Sequence, residues 1–225
     1  MQSTNSKPLN ICVTHFGDKY SSRYVSNLEK AIGKNYTGDF NFNVKTDCPN
    51  RHWDKISFFD CDERTIVMDI DMVVMSNLDD LFNYNVEEFA AFPRWWRGNV
   101  DVNGGFYIME PSEQAKELKD EFYADPDEYI ESYGNSVGTP WMGEQTFVHD
   151  NLIIEELPPE WLGIWVSGVD HKGVIQDQDL LDSKYEDQFK VPMLDNIKLL
   201  HFIYENQIEQ HQPWIQEIWN GTSTA

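Results

Sequence analysis

Residues 65–75 read Thr-Ile-Val-Met-Asp-Ile-Asp-Met-Val-Val-Met, an apolar run broken only by Asp69 and Asp71. A run this apolar predicts a strand buried on both faces, as in a parallel sheet covered by helices. Two carboxylates are costly there unless something compensates their charge. Side chains alternate along a strand, so Asp69 and Asp71 point the same way and can aim at one spot. A hard divalent cation that itself holds phosphates is the simplest compensation.

The chain around this run supports a layered α/β reading. Leu9 to Thr14 is a short apolar strand. Ser21 or Ser22 can cap a helix whose inward face carries Tyr24, Val25, Leu28 and Ile32, with Gly33 as its stop. Phe40 to Lys45 alternates apolar and polar residues and predicts a second strand ending at Thr46-Asp47. The opening is therefore β-α-β-(α)-β, a parallel pattern whose ligands bind at the carboxyl ends of the strands. Thr14, Asp47 and the aspartate pair all lie at such ends. Further on, Phe89 to Phe92 and Gly104 to Met109 predict strands. Ser112 to Tyr123 predicts a helix with Ala115, Leu118 and Phe122 inward, and Lys198 to Tyr204 a late strand carrying His201.

The bulk numbers set limits. At 225 residues, 40% of them hydrophobic and 14% aromatic, the chain is globular and long enough for a substantial core. It is read as one domain over 1–225, with about 1–7 and 221–225 as flexible tails. The 39 acidic and 17 basic residues give a net charge of -22, which disfavours nucleic acid and anionic membranes. No stretch approaches a membrane span and no apolar signal region opens the chain, so a cytoplasmic protein is expected. The three cysteines, Cys12, Cys48 and Cys61, form no metal-binding spacing and read as free thiols.

Two enzyme classes end a buried strand on Asp-x-Asp. In haloacid-dehalogenase-like phosphatases the first aspartate is a nucleophile and the second an acid/base. That motif usually opens the core domain, whereas a β-α-β segment precedes it here. No later Gly-Asp-x-x-x-Asp segment completes a magnesium site.

More of the chain resembles the GT-A glycosyltransferases of family 8, the glycogenin-like retaining enzymes. Val67 to Val74 followed by Asn77-Leu78-Asp79-Asp80-Leu81-Phe82 resembles that family's Asp-x-Asp strand and the helix after it. Asn103-Gly104-Gly105-Phe106-Tyr107 is similar to its Asn-x-Gly segment, and Glu144-Gln145 to its Asp-Gln pair. Leu157-Pro158-x-x-Trp161, Leu199-Leu200-His201-Phe202 and Gln212-Pro213-Trp214 follow in the family's order. The resemblance implies a single-domain GT-A fold, Rossmann-like, with a mostly parallel central sheet and flanking helices. It implies a metal-dependent, retaining hexosyltransferase that moves a hexose from a UDP-sugar, UDP-glucose or UDP-galactose, to an unknown acceptor. Asp69, Asp71 and His201 would hold Mn²⁺, or Mg²⁺ in its place. Thr14, His15 and Tyr20 match the segment that holds uridine, and Asp47 can accept from the uracil ring. Lys55 stands where the family has a cation facing the donor, and Ile70 joins the donor-binding set. Asn103, Gly104 and Gly105 would meet the donor sugar, and Glu144 and Gln145 would lie at its reacting carbon. Two positions depart from the family: Glu144 is a longer acid, and Gln212 replaces a phosphate-binding lysine. His211, Arg94 or Arg97 could supply the missing cation. A sugar-nucleotide binder without transfer activity is the remaining alternative beside the phosphatase.

Overall fold

A computed structural model of the chain describes residues 7–95, 101–134, 143–165, 197–202, 208–210 and 213–222. Its strands are β1 (Leu9–Thr14), β2 (Phe40–Lys45), β3 (Thr65–Met68), β4 (Met72–Val74), β5 (Phe89–Pro93), β6 (Val102–Met109), β7 (Glu155–Glu156), β8 (Leu162–Trp165) and β9 (Leu199–Phe202). Its helices are α1 (Ser22–Asn35), α2 (Asp79–Phe82), α3 (Glu113–Ala124), α4 (Pro126–Tyr133), α5 (Glu144–Asn151) and α6 (Pro213–Trp219), with a 3-10 helix over Arg51–Phe59. Six strands form one sheet in the order β2-β1-β3-β6-β5-β7, and three form a second in the order β4-β9-β8. In the larger sheet β1/β2, β1/β3 and β5/β7 pair in parallel, while β3/β6 and β5/β6 are antiparallel. This is the mixed but mostly parallel α/β sheet that the sequence pattern predicts.

The single long strand expected over residues 65–75 is two strands in two sheets. Met68 pairs with Phe106 in the larger sheet, and Met72 pairs with His201 in the smaller one. The Asp69 N–H donates to the Gly105 carbonyl at 2.8 Å, and the Asp71 carbonyl accepts from the Phe202 N–H at 2.9 Å. The chain therefore crosses between sheets in three residues, with the buried Ile70 side chain wedged in the core at the crossing. Both halves are buried on both faces, so the sequence carries no polar residue to mark the break except the aspartates themselves. The crossing also leaves these side chains 28% and 13% exposed, less buried than a continuous core strand would make them.

Helix α1 buries Tyr24, Leu28 and Ile32, residues four apart on one face, and packs on β4 and α6. It runs through Gly33 to Asn35 rather than stopping there, and Ser21 precedes it without a side-chain cap. Helix α3 turns Ala115, Leu118 and Phe122 inward as expected and is capped by Ser112, whose Oγ accepts from the Ala115 N–H at 3.3 Å. Under it lies an aromatic cluster of Trp53, Phe59, Phe89, Tyr107, Phe122 and Phe147.

One irregularity positions the site. Between the pairs Ala91↔Tyr107 and Pro93↔Val102, two steps along β5 face five along β6. The extra residues form a bulge at Asn103-Gly104-Gly105 on the side facing β5. Opposite it α5 begins at Gly143, whose φ of 146° suits glycine and turns Glu144 into the first position of the helix.

Candidate active site

Asp69, Asp71 and His201 converge. Their ligand atoms all lie within 4.8 Å of one another, and the set can hold a metal ion. His201 Nε2 is 3.7 Å from Asp69 Oδ2 and 3.3 Å from Asp71 Oδ1. The other oxygen of each carboxylate is held by the chain: Lys55 Nζ donates to Asp69 Oδ1 at 3.0 Å, and the Tyr20 hydroxyl to Asp71 Oδ2 at 2.7 Å. The remaining ring nitrogen of His201 meets the Asn103 amide at 3.2 Å. All three side chains thus have outer partners that fix their orientation, as metal-ligating groups require. Gly105 makes room for this arrangement. A Cβ there would stand 2.4 Å from His201 Cε1 and 2.7 Å from Asn103 Oδ1. Burial opposes the Asp71 charge, but the His201 ring and the Tyr20 hydroxyl outweigh it and hold the carboxyl below its usual range.

Lys55 joins this cluster to α5. Besides Asp69, its ammonium contacts the Gly104 carbonyl at 2.5 Å and Glu144 Oε2 at 3.6 Å. Burial alone would lower its pKa, but Asp69 and Glu144 prevail and push it up to about 12. Glu144 is buried, and its Oε1 accepts from the Tyr107 hydroxyl at 2.7 Å. Desolvation lifts its carboxyl to about 6, against the pull of Lys55 and Tyr107. Gln145 Oε1 accepts from the Gly104 N–H at 3.3 Å. The bulge of β6 is therefore the common floor of both halves of the site.

No family model and no curated protein matches the sequence. Solved structures do. The glycosyltransferase GlyE of Streptococcus pneumoniae TIGR4 superimposes with a TM-score of 0.64 over 95% of this chain at 13% identity. The chain covers 59% of GlyE, about three fifths of its length. The galactosyltransferase LgtC, solved with donor and acceptor sugar analogues, gives 0.57 at 10% identity over 96% of both chains. The bifunctional glycosyltransferase WbbM gives 0.58 at 10% identity, over 97% of this chain and 52% of its own. The fold is GT-A. Identities this low establish the fold and leave the reaction to the site.

In this GT-A framework Thr14, His15 and Asp47 sit at the ends of two strands, β1 and β2. Thr14 is buried at the end of β1. His15 follows it, its N–H donating to the Lys45 carbonyl at 2.9 Å and its Nε2 lying 3.0 Å from the Tyr20 carbonyl. Asp47 is exposed two residues past β2. Tyr20, expected on the uridine side, donates its hydroxyl to Asp71 Oδ2. His211, Gln212 and Arg97 lie outside the described residues. Arg94 is buried, and its Nη1 is 2.5 Å from Asp101 Oδ2. Sequence reasoning missed Tyr107. Its signal is a tyrosine in the apolar second half of β6, Phe106 to Met109, whose buried hydroxyl needs a partner.

Proposed function

We propose that the chain is a metal-dependent, retaining glycosyltransferase that moves a hexose from UDP-glucose or UDP-galactose to an acceptor hydroxyl. The observation that carries this reading is the meeting of the Asp69–Asp71–His201 triad with Glu144 through a single buried lysine. Two carboxylates and one imidazole suit Mn²⁺, with Mg²⁺ second. When bound, such an ion offsets the charge of the diphosphate and so favours its departure.

The chain's own residues would do the rest. Thr14, His15 and Asp47 would receive the nucleoside, and Asp47 would accept from the uracil imide. Asn103, Gly104 and Gly105 would bring backbone close to the donor sugar. As the bond from the anomeric carbon to the diphosphate breaks, positive charge grows on that carbon, and Glu144 would stabilise it. The acceptor hydroxyl would form the new bond from the face the diphosphate leaves and pass its proton to the departing diphosphate oxygen. Retention, and membership of family 8, rest on the resemblance of the sequence motifs. The phosphatase alternative loses its support once the fold is GT-A. Among the described residues no helix is long and apolar enough to cross a membrane.

Calorimetric titration with UDP, with and without Mn²⁺, followed by hydrolysis assays with UDP-glucose and UDP-galactose, tests the reading. Metal-dependent binding with turnover supports it. Binding without turnover points to the inert binder, and no binding in either condition refutes both.

A further inference from the structure

We propose that Tyr107 is a positioning residue: its hydroxyl, opposite Lys55, fixes the Glu144 carboxylate against the β6 bulge in the orientation that transfer needs. The kinetic consequence rests on the glycosyltransferase reading, whereas the hold on Glu144 does not.

Tyr107 is wholly buried, and its ring is boxed in by Phe59, edge-on at 5.8 Å and 88°, and by Phe89 at 5.1 Å. The ring cannot swing, so its hydroxyl is presented from a fixed point on β6. That hydroxyl is 2.7 Å from Glu144 Oε1. Burial first, and the Glu144 charge second, push the phenol well above its ordinary range. It keeps its proton and acts as a donor. The second carboxylate oxygen of Glu144 is 3.6 Å from the Lys55 ammonium and 2.8 Å from where a Gly104 Cβ would stand. Tyr107 and the Gly104 backbone on β6, with Lys55 from the 3-10 helix, thus define one carboxylate position. The titratable groups facing Glu144 are Lys55 from the 3-10 helix, Tyr107 from β6 and Asp69 from the crossing between the sheets.

The need for such a hold follows from side-chain length. A glutamate has one more rotatable bond than the aspartate of the family it resembles, so its carboxylate sweeps a wider volume unless it is tied. A phenol on a rigid strand removes that freedom without adding charge. Lys55 alone would not, because at 3.6 Å it contacts Glu144 more loosely than it does Asp69 at 3.0 Å.

Tyr107→Phe tests the proposal, since it keeps the ring and removes only the donor. With Mn²⁺ and UDP-glucose or UDP-galactose, kcat for hydrolysis is expected to fall roughly ten- to a hundredfold, the loss of a hydrogen bond to a charged group. The Kd for UDP should stay within about twofold, because the base, phosphates and metal are untouched. Placed on Glu144→Gln, the same substitution should cost little more, because the group it positions is gone. Equal losses on both backgrounds would mean a general structural role and overturn the proposal. A second measurement needs no turnover. In metal-free protein with ¹³C-carboxyl glutamate, the Glu144 signal is identified by its absence in Glu144→Gln, and its titration midpoint should rise in Tyr107→Phe because a donor to the charged form is lost. An unchanged midpoint overturns the proposal even if the chain transfers no sugar. A wild type that ignores UDP and both sugar nucleotides sinks the functional reading alone, and the midpoint still decides for Tyr107.

Discussion

Asp71 and Glu144 divide the proposed chemistry, one holding the metal and the other facing the sugar, and their substitutions should fail differently. Asp71→Ala removes a ligand and leaves Tyr20 without its acceptor, so Mn²⁺-dependent UDP binding should weaken by roughly a hundredfold or more, beyond the loss typical of an outer partner. The fold should survive, because a partly buried charge is relieved. Calorimetry on the mutant checks this, and wild-type affinity would remove the metal assignment. Glu144→Gln should instead leave the Kd for UDP within a few-fold and lower kcat by roughly a hundredfold, in line with other preorganised electrostatic groups. Its pH behaviour follows from the same burial. The Glu144 carboxyl is raised to about 6, so it gains its proton as pH falls through that value and stops stabilising positive charge. Turnover should therefore drop below about pH 6, and the Gln variant should lose that acid limb. A limb that persists in Glu144→Gln belongs to another group. The sequence disclosed Asp71 because charge in an apolar run stands out, and Glu144 through the resemblance of Glu144-Gln145 to the family's Asp-Gln pair. It did not disclose Tyr107, whose ring is at home in a core and whose hydroxyl finds its acceptor 37 residues away.

The β6 bulge is what sets the triad beside α5, and its glycines separate function from packing. Gly105→Ala would drive a methyl into the His201 ring and the Asn103 amide, so Mn²⁺ affinity should fall at least about tenfold, the loss expected when a ligand's orientation is disturbed. Gly163→Ala, on β8 in the second sheet, meets only the apolar tips of Ile197 at 2.9 Å and Leu200 at 3.0 Å. It should cost roughly 1–3 kcal/mol of stability through overpacking and leave Mn²⁺ affinity unchanged. Gly33→Ala is the opposite case. It sits in the last turns of α1, and its new methyl would find only Phe40 at 3.8 Å. Stability should rise by about 0.5–1 kcal/mol through helix propensity and a stiffer unfolded chain. Denaturant melts of the three variants beside Mn²⁺ titrations check all of this, and equal metal affinities in Gly105→Ala and Gly163→Ala would break the argument. The local pattern made β1, β2, α1 and α3 readable because each turns one periodic face to the core. It could not show that the apolar run divides at Asp69–Asp71, because the partner that draws Met72 into the second sheet is His201, far along the chain. The Asn-Gly-Gly bulge was equally silent, since a ladder's register depends on the facing strand.

The triad also joins the two sheets, so a bound ion would act on the stability of the fold as well as on the donor. Asp69 and Asp71 lie on the crossing between the sheets, and His201 lies on β9 of the smaller one. An ion that binds the folded chain and not the unfolded one stabilises it by about 2.7 kcal/mol at a hundred times its Kd. For a chain of 225 residues each kcal/mol shifts Tm by about 2–4 °C, so Mn²⁺ should raise Tm by roughly 5–10 °C, reversibly with a chelator. A net charge of -22 complicates the reading, because any cation relieves self-repulsion in so acidic a protein. Sodium chloride at matched ionic strength measures that nonspecific part. His201→Ala then isolates the site, since it removes one ligand while the count of acidic and basic residues stays the same. In that variant the Mn²⁺ shift should shrink to the sodium chloride value. If His201→Ala keeps the full shift, the ion binds elsewhere on the acidic surface, and the link between the sheets is not the metal site.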